Sequence, residues 1–183
     1  RHNVCENIRF LSSPPDAGFF REYVNLPAHN VLPMPEGLDA DTATLFEPLA
    51  VVLHSLQFAR IELGETVAVF GAGPIGLLTI ASLKMAGAGR IYSIEPRAGR
   101  RELAKRMGAD VTIDSSQTDA VKEIMAATGK RGVDCGIDCA TRPGTIQQTC
   151  DVTRNSGRSV ITGIPSDPET AINFHVLRRK ELT

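Results

Sequence analysis

The chain has none of the features that mark a membrane, nucleic-acid or metal-cluster protein. No apolar run approaches the ~20 residues a helix needs to span a bilayer, which excludes a transmembrane reading. No surplus of one charge sign exists either: 20 basic residues against 21 acidic leave a formal net charge of −1. Without a basic surplus there is no electrostatic footprint for nucleic acid or an anionic membrane surface, so neither partner is expected. The N-terminus lacks a signal-peptide pattern, and the expected compartment is the cytoplasm. Internal repeats and low-complexity tracts are also missing. Cysteine is sparse, with four residues, and their spacing does not make a metal framework. Cys135 and Cys139 read as C-x3-C, but residues 133–140 read as a strand. At a rise of about 3.3 Å per residue they stand roughly 13 Å apart on one face, too far to share a zinc ion. These two, and Cys150 on an expected helix, are read as buried thiols.

What is present is ordinary in amount and regular in order. A hydrophobic content of 42% and a charged content of 22% fit a soluble globular chain. The length suits one full domain plus an appendage. The chain divides near residue 47. Before it, prolines stand at 14, 15, 27, 33 and 35, and residues 19–25 form the single convincing strand pattern, rich in aromatic and β-branched residues. Residues 39–46 read as a short helix with Asp39 or Asp41 as N-cap. Residues 1–46 bury little by themselves and read as the end of another domain.

From Pro48 onward, helices and strands alternate. Helix 48–59 has proline in its first turn, where a missing N–H costs nothing. Strands are expected at 67–70, 90–95, 110–113, 133–140 and 158–163. Helices are expected at 74–86, 98–107, 118–128 and 143–152. Such alternation implies βαβ units and a doubly wound α/β fold with a parallel sheet covered on both faces. Gly87-Ala88-Gly89, Thr128-Gly129-Lys130 and Asn155-Ser156-Gly157 supply glycine where helices should stop. Residues 180–183 read as the start of one more strand.

The run Thr66-Val67-Ala68-Val69-Phe70-Gly71-Ala72-Gly73-Pro74-Ile75-Gly76 carries the chemistry. A short apolar strand breaks into G-x-G-x-x-G and leaves as a helix. Nineteen residues after Gly76, a second apolar run ends on Glu95. Gly71 permits the tight turn, Gly73 leaves room for a pyrophosphate, and Gly76 lets helix and strand pack closely. The helix that starts at Pro74 and Ile75 presents its N-terminus to the phosphates, with free N–H groups from Ile75 onward because proline has none. Glu95 is placed to accept hydrogen bonds from the adenosine ribose hydroxyls, and its charge would repel the 2′-phosphate of NADP. Arg97 argues the other way, because a guanidinium can clasp that phosphate. Arg97, Arg100 and Arg101 can also be read as the solvated face of a helix. Glu95 places NAD ahead of NADP. Past the switch point, Ala140-Thr141 and Thr162-Gly163-Ile164 end their strands where the nicotinamide half should lie.

Glu47-Pro48-Leu49, Leu63-Gly64-Glu65-Thr66-Val67 and Gly71 to Gly76 together resemble the zinc-containing medium-chain alcohol dehydrogenases, most closely their sorbitol (polyol) and threonine dehydrogenase branch. Gly108-Ala109-Asp110, Gly132-Val133-Asp134, Val160-Ile161-Thr162-Gly163 and the tail Arg179 to Thr183 fit the same pattern. The resemblance implies a Rossmann domain whose last strand is truncated, preceded by a remnant of a GroES-like catalytic domain. It also implies that Arg1-His2-Asn3-Val4-Cys5 ends a structural zinc lobe, with Cys5 as its fourth ligand. Glu47 would lie at the catalytic zinc, and Arg100 would line the adenine pocket. The other ligands of both zinc ions would precede Arg1, which makes the chain an internal piece of a longer enzyme.

Read without the family, Glu47 is a carboxylate at a helix N-terminus, held extended by the following proline. His54 lies seven positions on, about 10 Å along the axis, too far to share a zinc with it, and is expected as a packed helix residue. His2, His29 and His175 carry no signal. The parent is expected to be a homo-oligomer that passes a hydride from a secondary alcohol of a polyol, or a similar small molecule, to NAD. The fragment alone should be inactive. A non-catalytic dinucleotide sensor module and a zinc-free enone or quinone reductase of the same superfamily are the alternatives. Cys5 and Glu47 speak against both.

Overall fold

The computed structural model describes residues 4–167 and 169–183. The chain forms two units, the first extending through Ala43 and the second spanning Thr44–Thr183.

None of the described residues of the first unit is buried. It contains a 3-10 turn at Ala28–Asn30 and the four-residue helix α1, Ala40–Ala43. Asp39 starts α1 as expected, its carboxylate accepting the Thr42 N–H at 2.8 Å and the Thr42 hydroxyl at 2.7 Å. The strand expected over residues 19–25 does not form. Phe20 and Tyr23 are fully or almost fully exposed, and the Arg21 N–H turns back to the Phe19 carbonyl at 2.8 Å. A strand-like composition needs a neighbouring strand to bond to, and none of the described residues supplies one here.

The second unit alternates as the sequence implies. Helix α2 is Phe46–Ala59, followed by β1 (Thr66–Phe70), α3 (Pro74–Met85), β2 (Arg90–Ile94) and α4 (Ala98–Met107). Then come β3 (Val111–Ile113), α5 (Ala120–Ala127), β4 (Val133–Asp138), α6 (Thr145–Val152), β5 (Thr153–Ile161) and α7 (Phe174–Lys180). The five strands are parallel in the order β3-β2-β1-β4-β5. Strand order therefore reverses between β1 and β4, and a crevice opens there at the strands' C-terminal ends.

Alternation along β1 builds both faces of the core. Val67 and Val69 join Ile80, Leu83, Ile91 and Ile137 on one face. Ala68 and Phe70 join Tyr92, Ile94, Ile113, Ile124 and Val152 on the other. A sheet buried on both sides reads as near-continuous apolar runs, which is why its strands were legible.

Three elements differ from expectation. Helix α2 begins at Phe46, so Glu47 is helical rather than extended. Pro48 then falls at the third helical position, where the backbone N–H has no intrahelical partner to lose. Asn155-Ser156-Gly157 does not terminate α6 but lies within β5, with a register shift against β4 and Ser156 in a left-handed conformation (φ 53). The α6 terminus needs no glycine because Lys180 Nζ donates to the Cys150, Asp151 and Thr153 carbonyls at 3.1, 2.6 and 2.7 Å. Residues 174–180, leading into the tail, are helix α7, and the extended pairing comes only afterwards. Thr183 donates to the Gly157 carbonyl at 3.3 Å and accepts the Ser159 N–H at 2.8 Å, on the open edge of β5. No helix among the described residues is long and apolar enough to cross a membrane.

Candidate functional site

A cleft of about 520 Å³ opens over the C-terminal ends of β1, β2 and β4. Its floor is the glycine turn after β1. Gly71 adopts φ 90, a left-handed conformation that a side chain would strain. Its N–H continues the β2 ladder to the Ile94 carbonyl at 2.8 Å. At Gly76 the limit is space: an added Cβ would lie 1.9 Å from the Gly71 carbonyl oxygen. Gly73 is the opposite case, since an added Cβ would meet nothing nearer than Arg100 Nη1 at 3.9 Å. It starts α3 without a side-chain cap, with Pro74 as the first helical residue. An uncapped 12-residue helix therefore points its free N–H groups toward open space.

Glu95 follows β2 and is 4% exposed. Its Oε2 accepts the Ala72 N–H at 2.9 Å and its Oε1 accepts the Arg97 N–H at 3.0 Å. Arg100 Nη1 stands 4.0 Å from the same carboxylate. Arg97 and Arg100 both line the cleft. Arg101 does not belong to a solvated face. Its Nη1 donates to the Glu95 and Pro96 carbonyls at 3.0 and 2.6 Å, and its Nη2 pairs with Asp114 at 2.8 Å. It braces the turn that presents Glu95.

The opposite wall comes from the β4–α6 connection through Cys139, Ala140, Arg142, Thr145 and Gln148. Ala140, which the sequence places at the nicotinamide side with Thr162 and Gly163, lines this cleft together with Glu95 and Arg100. Thr162, Gly163 and Ile164 do not line it. The Thr162 and Gly163 N–H groups bond to the Asp138 carbonyl at 2.9 and 3.1 Å, and Ile164 is 93% exposed. Pro74, Ile75 and Gly76 form the first turn of α3 behind the cleft floor. Composition alone did not single out Asp138, Arg101, Ser115, Arg142, Thr145 or Gln148. Asp138 carries the same signal as Glu95, an acid closing an apolar strand.

The metal candidates are not brought into a site. Among the described residues, no three His, Cys, Asp or Glu side chains come together to hold a metal ion. Cys5 is exposed in the first unit, and Arg1, His2 and Asn3 lie outside the described residues. Glu47 is exposed in the first turn of α2. His54 is exposed on α2, with its ring packed edge-on to Phe58 at 5.0 Å. Burial pushes the Cys139 thiol up to about 12, against a weaker opposing hydrogen bond with Thr79. Cys135 is likewise pushed to about 12, chiefly by burial, with Arg158 opposing. Both are neutral thiols at physiological pH.

Comparison with known proteins agrees with this geometry. Over 182 residues the chain is 34% identical to the sorbitol dehydrogenase of Bacillus subtilis (strain 168), covering all of this chain and 52% of that protein. A solved zinc-binding dehydrogenase from Sinorhizobium meliloti 1021, bound to NADP, superposes with a TM-score of 0.88 at 35% identity, over 98% of this chain and 53% of that one. A solved alcohol dehydrogenase from Escherichia coli CFT073, complexed with NADH, gives a TM-score of 0.78 at 29% identity, over 86% and 46%. The chain spans about half the length of the curated relatives it matches. The family described as zinc-binding dehydrogenase matches residues 74–183, and the chain belongs to it.

Proposed function

We propose that residues 47–183 are the cofactor-binding half of an NAD-dependent alcohol dehydrogenase, with residues 1–46 belonging to its catalytic domain. The parent enzyme would oxidise a secondary alcohol of a polyol or a similar small molecule. The observation that carries this reading is the seat of Glu95, a buried carboxylate at the mouth of the cleft and directly over the glycine turn. The residues present fit a dinucleotide. Gly73 leaves the uncapped start of α3 open to a pyrophosphate, and Gly76 admits no side chain beneath it. Glu95 stands where ribose hydroxyls would donate, with Arg100 beside it. When bound, NAD supplies the hydride acceptor. The chain's own part is to hold and orient it.

NAD is favoured over NADP because two backbone N–H groups pin the Glu95 carboxylate, which cannot swing away from a 2′-phosphate. Arg97 and Arg100 line the same cleft and would soften that repulsion without cancelling it. Zinc does not fit the described residues of this chain, which offer no group of three ligands. Cys5 and Glu47 would serve as ligands only together with residues from the rest of the parent enzyme.

Titration of the folded chain with NADH and NADPH, followed by nicotinamide fluorescence, tests the reading. Saturable binding with NADH tighter than NADPH is expected. A folded chain that binds neither would overturn it.

A further inference from the structure

We propose that Asp138 is a positioning residue for the cofactor, setting the wall of the cleft opposite Glu95 without touching the ligand itself. This inference rests on the dinucleotide reading above. Asp138 closes β4 between β1 and β5, in register with Phe70 and Ile161, and is fully buried. All of its side-chain bonds turn into the β4–α6 connection and the first residue of α6. Oδ1 accepts the Ala140 N–H at 2.8 Å and the Thr141 N–H at 2.9 Å, and Oδ2 accepts the Thr145 hydroxyl at 2.9 Å.

Two of those contacts fix residues that line the cleft, Ala140 and Thr145, and the third holds the turn between them. Ala140 lies against the glycine turn so closely that a Cβ added at Gly71 would meet the Ala140 Cβ at 3.0 Å. The depth of the gap between the two walls is therefore set by where Ala140 is held. Thr141 has φ 42, a left-handed conformation that is unfavourable for a β-branched residue and needs an outside constraint. The carboxylate supplies that constraint at the Thr141 N–H. Thr145 also accepts the Arg142 N–H at 3.0 Å, so the chain of bonds from Asp138 reaches a side chain lining the cleft. Asp138 thus does for the β4 loop what Glu95 does for the β1 turn. The ordered wall it creates faces Glu95 and Arg100, the side that the acidic residue assigns to adenosine.

The test uses the purified chain at a temperature where circular dichroism shows every variant folded, with NADH, AMP and nicotinamide mononucleotide as ligands. Asp138→Ala should weaken NADH and AMP by the same factor, about tenfold for the loss of charge-assisted bonds. Nicotinamide mononucleotide should be unaffected. Asp138→Asn, which can still accept from the two N–H groups and donate to Thr145, should recover most of the AMP affinity. Thr145→Val gives the second measure should Asp138→Ala fail to fold, with a smaller loss shared by NADH and AMP. Wild-type affinities retained in Thr145→Val and in a folded Asp138→Ala, or equal losses for all three ligands, would overturn the role. A wild-type chain that binds no NADH would instead overturn the dinucleotide reading.

Discussion

The carboxylate of Glu95 accepts the backbone N–H of Ala72 at 2.9 Å, across 23 residues of sequence. The bond links the end of β2 to the middle of the glycine turn after β1. One side chain thereby shapes the floor of the cleft and places a negative charge at its rim. An acid in this position is read from sequence as a contact to ribose. Here it also holds the turn that a pyrophosphate would approach.

Replacing Glu95 should separate these two roles. Glu95→Ala leaves the Ala72 N–H without its partner and should cost about 1–3 kcal/mol of stability, read as a lower thermal midpoint by circular dichroism. Glu95→Gln keeps an acceptor for one N–H but removes the charge. Its NADPH affinity should rise relative to NADH by about tenfold, measured by fluorescence titration. An unchanged preference in Glu95→Gln would show that the charge does not select the cofactor.

The glycines of the turn should respond differently from one another. Gly76→Ala forces a Cβ to within 1.9 Å of the Gly71 carbonyl oxygen, so backbone must move. A loss of about 2–4 kcal/mol is expected in denaturant unfolding. Gly73→Ala meets nothing within 3.9 Å and has an ordinary φ of −74. It should cost about 1 kcal/mol or less, yet weaken NADH about tenfold or more if the pyrophosphate lies against that backbone. Full NADH affinity in Gly73→Ala would move the pyrophosphate elsewhere.

Legibility followed burial. Strands β1, β2 and β4 are readable because each is buried on two faces, and Glu95 because it closes such a strand at a fixed distance from the glycines, whereas β5, with Asn155 and Ser156 exposed, is legible only in its second half. Asp138 closes β4 in the same way, but its role depends on loop amides of Ala140 and Thr141 whose directions no composition reveals. Arg101 looked solvated because neighbouring arginines hid which one turns inward. The strand at residues 19–25 failed because pattern reports readiness to pair and says nothing of a partner. Asn155-Ser156-Gly157 misled for a related reason. The cap of α6 is a lysine almost 30 residues away, so the local glycine was free to serve as an irregularity in β5.

The chain by itself should not turn over. Purified chain incubated with zinc, NAD and sorbitol is expected to form no NADH by absorbance, and to keep no stoichiometric zinc after dialysis. The reason is the donor set, which offers no three-ligand group among the described residues. Steady, chelator-sensitive NADH production would require a metal site that these residues do not make.

Far from the cleft, Asp134 fastens the opposite end of the sheet, and acid should undo it. Its Oδ2 accepts the Thr66 N–H at 2.9 Å, while Arg131 and Arg154 donate to Oδ1 at 2.5 and 2.7 Å. Burial pushes this carboxyl up, but the bonds from Arg131, the Thr66 N–H and Arg154 together outweigh it and hold it well below the usual range. A carboxylate whose folded value is depressed contributes its stability above its unfolded value, and loses it as the pH falls toward the folded one. Asp134→Asn should therefore melt below the wild type at neutral pH, with the gap narrowing once the pH drops below about 4. Thermal midpoints of the two proteins measured side by side isolate this group, because the other carboxylates titrate in both. A gap that stays constant down to strongly acid pH would mean that the charge of Asp134 contributes nothing to holding β1, β4 and β5 together.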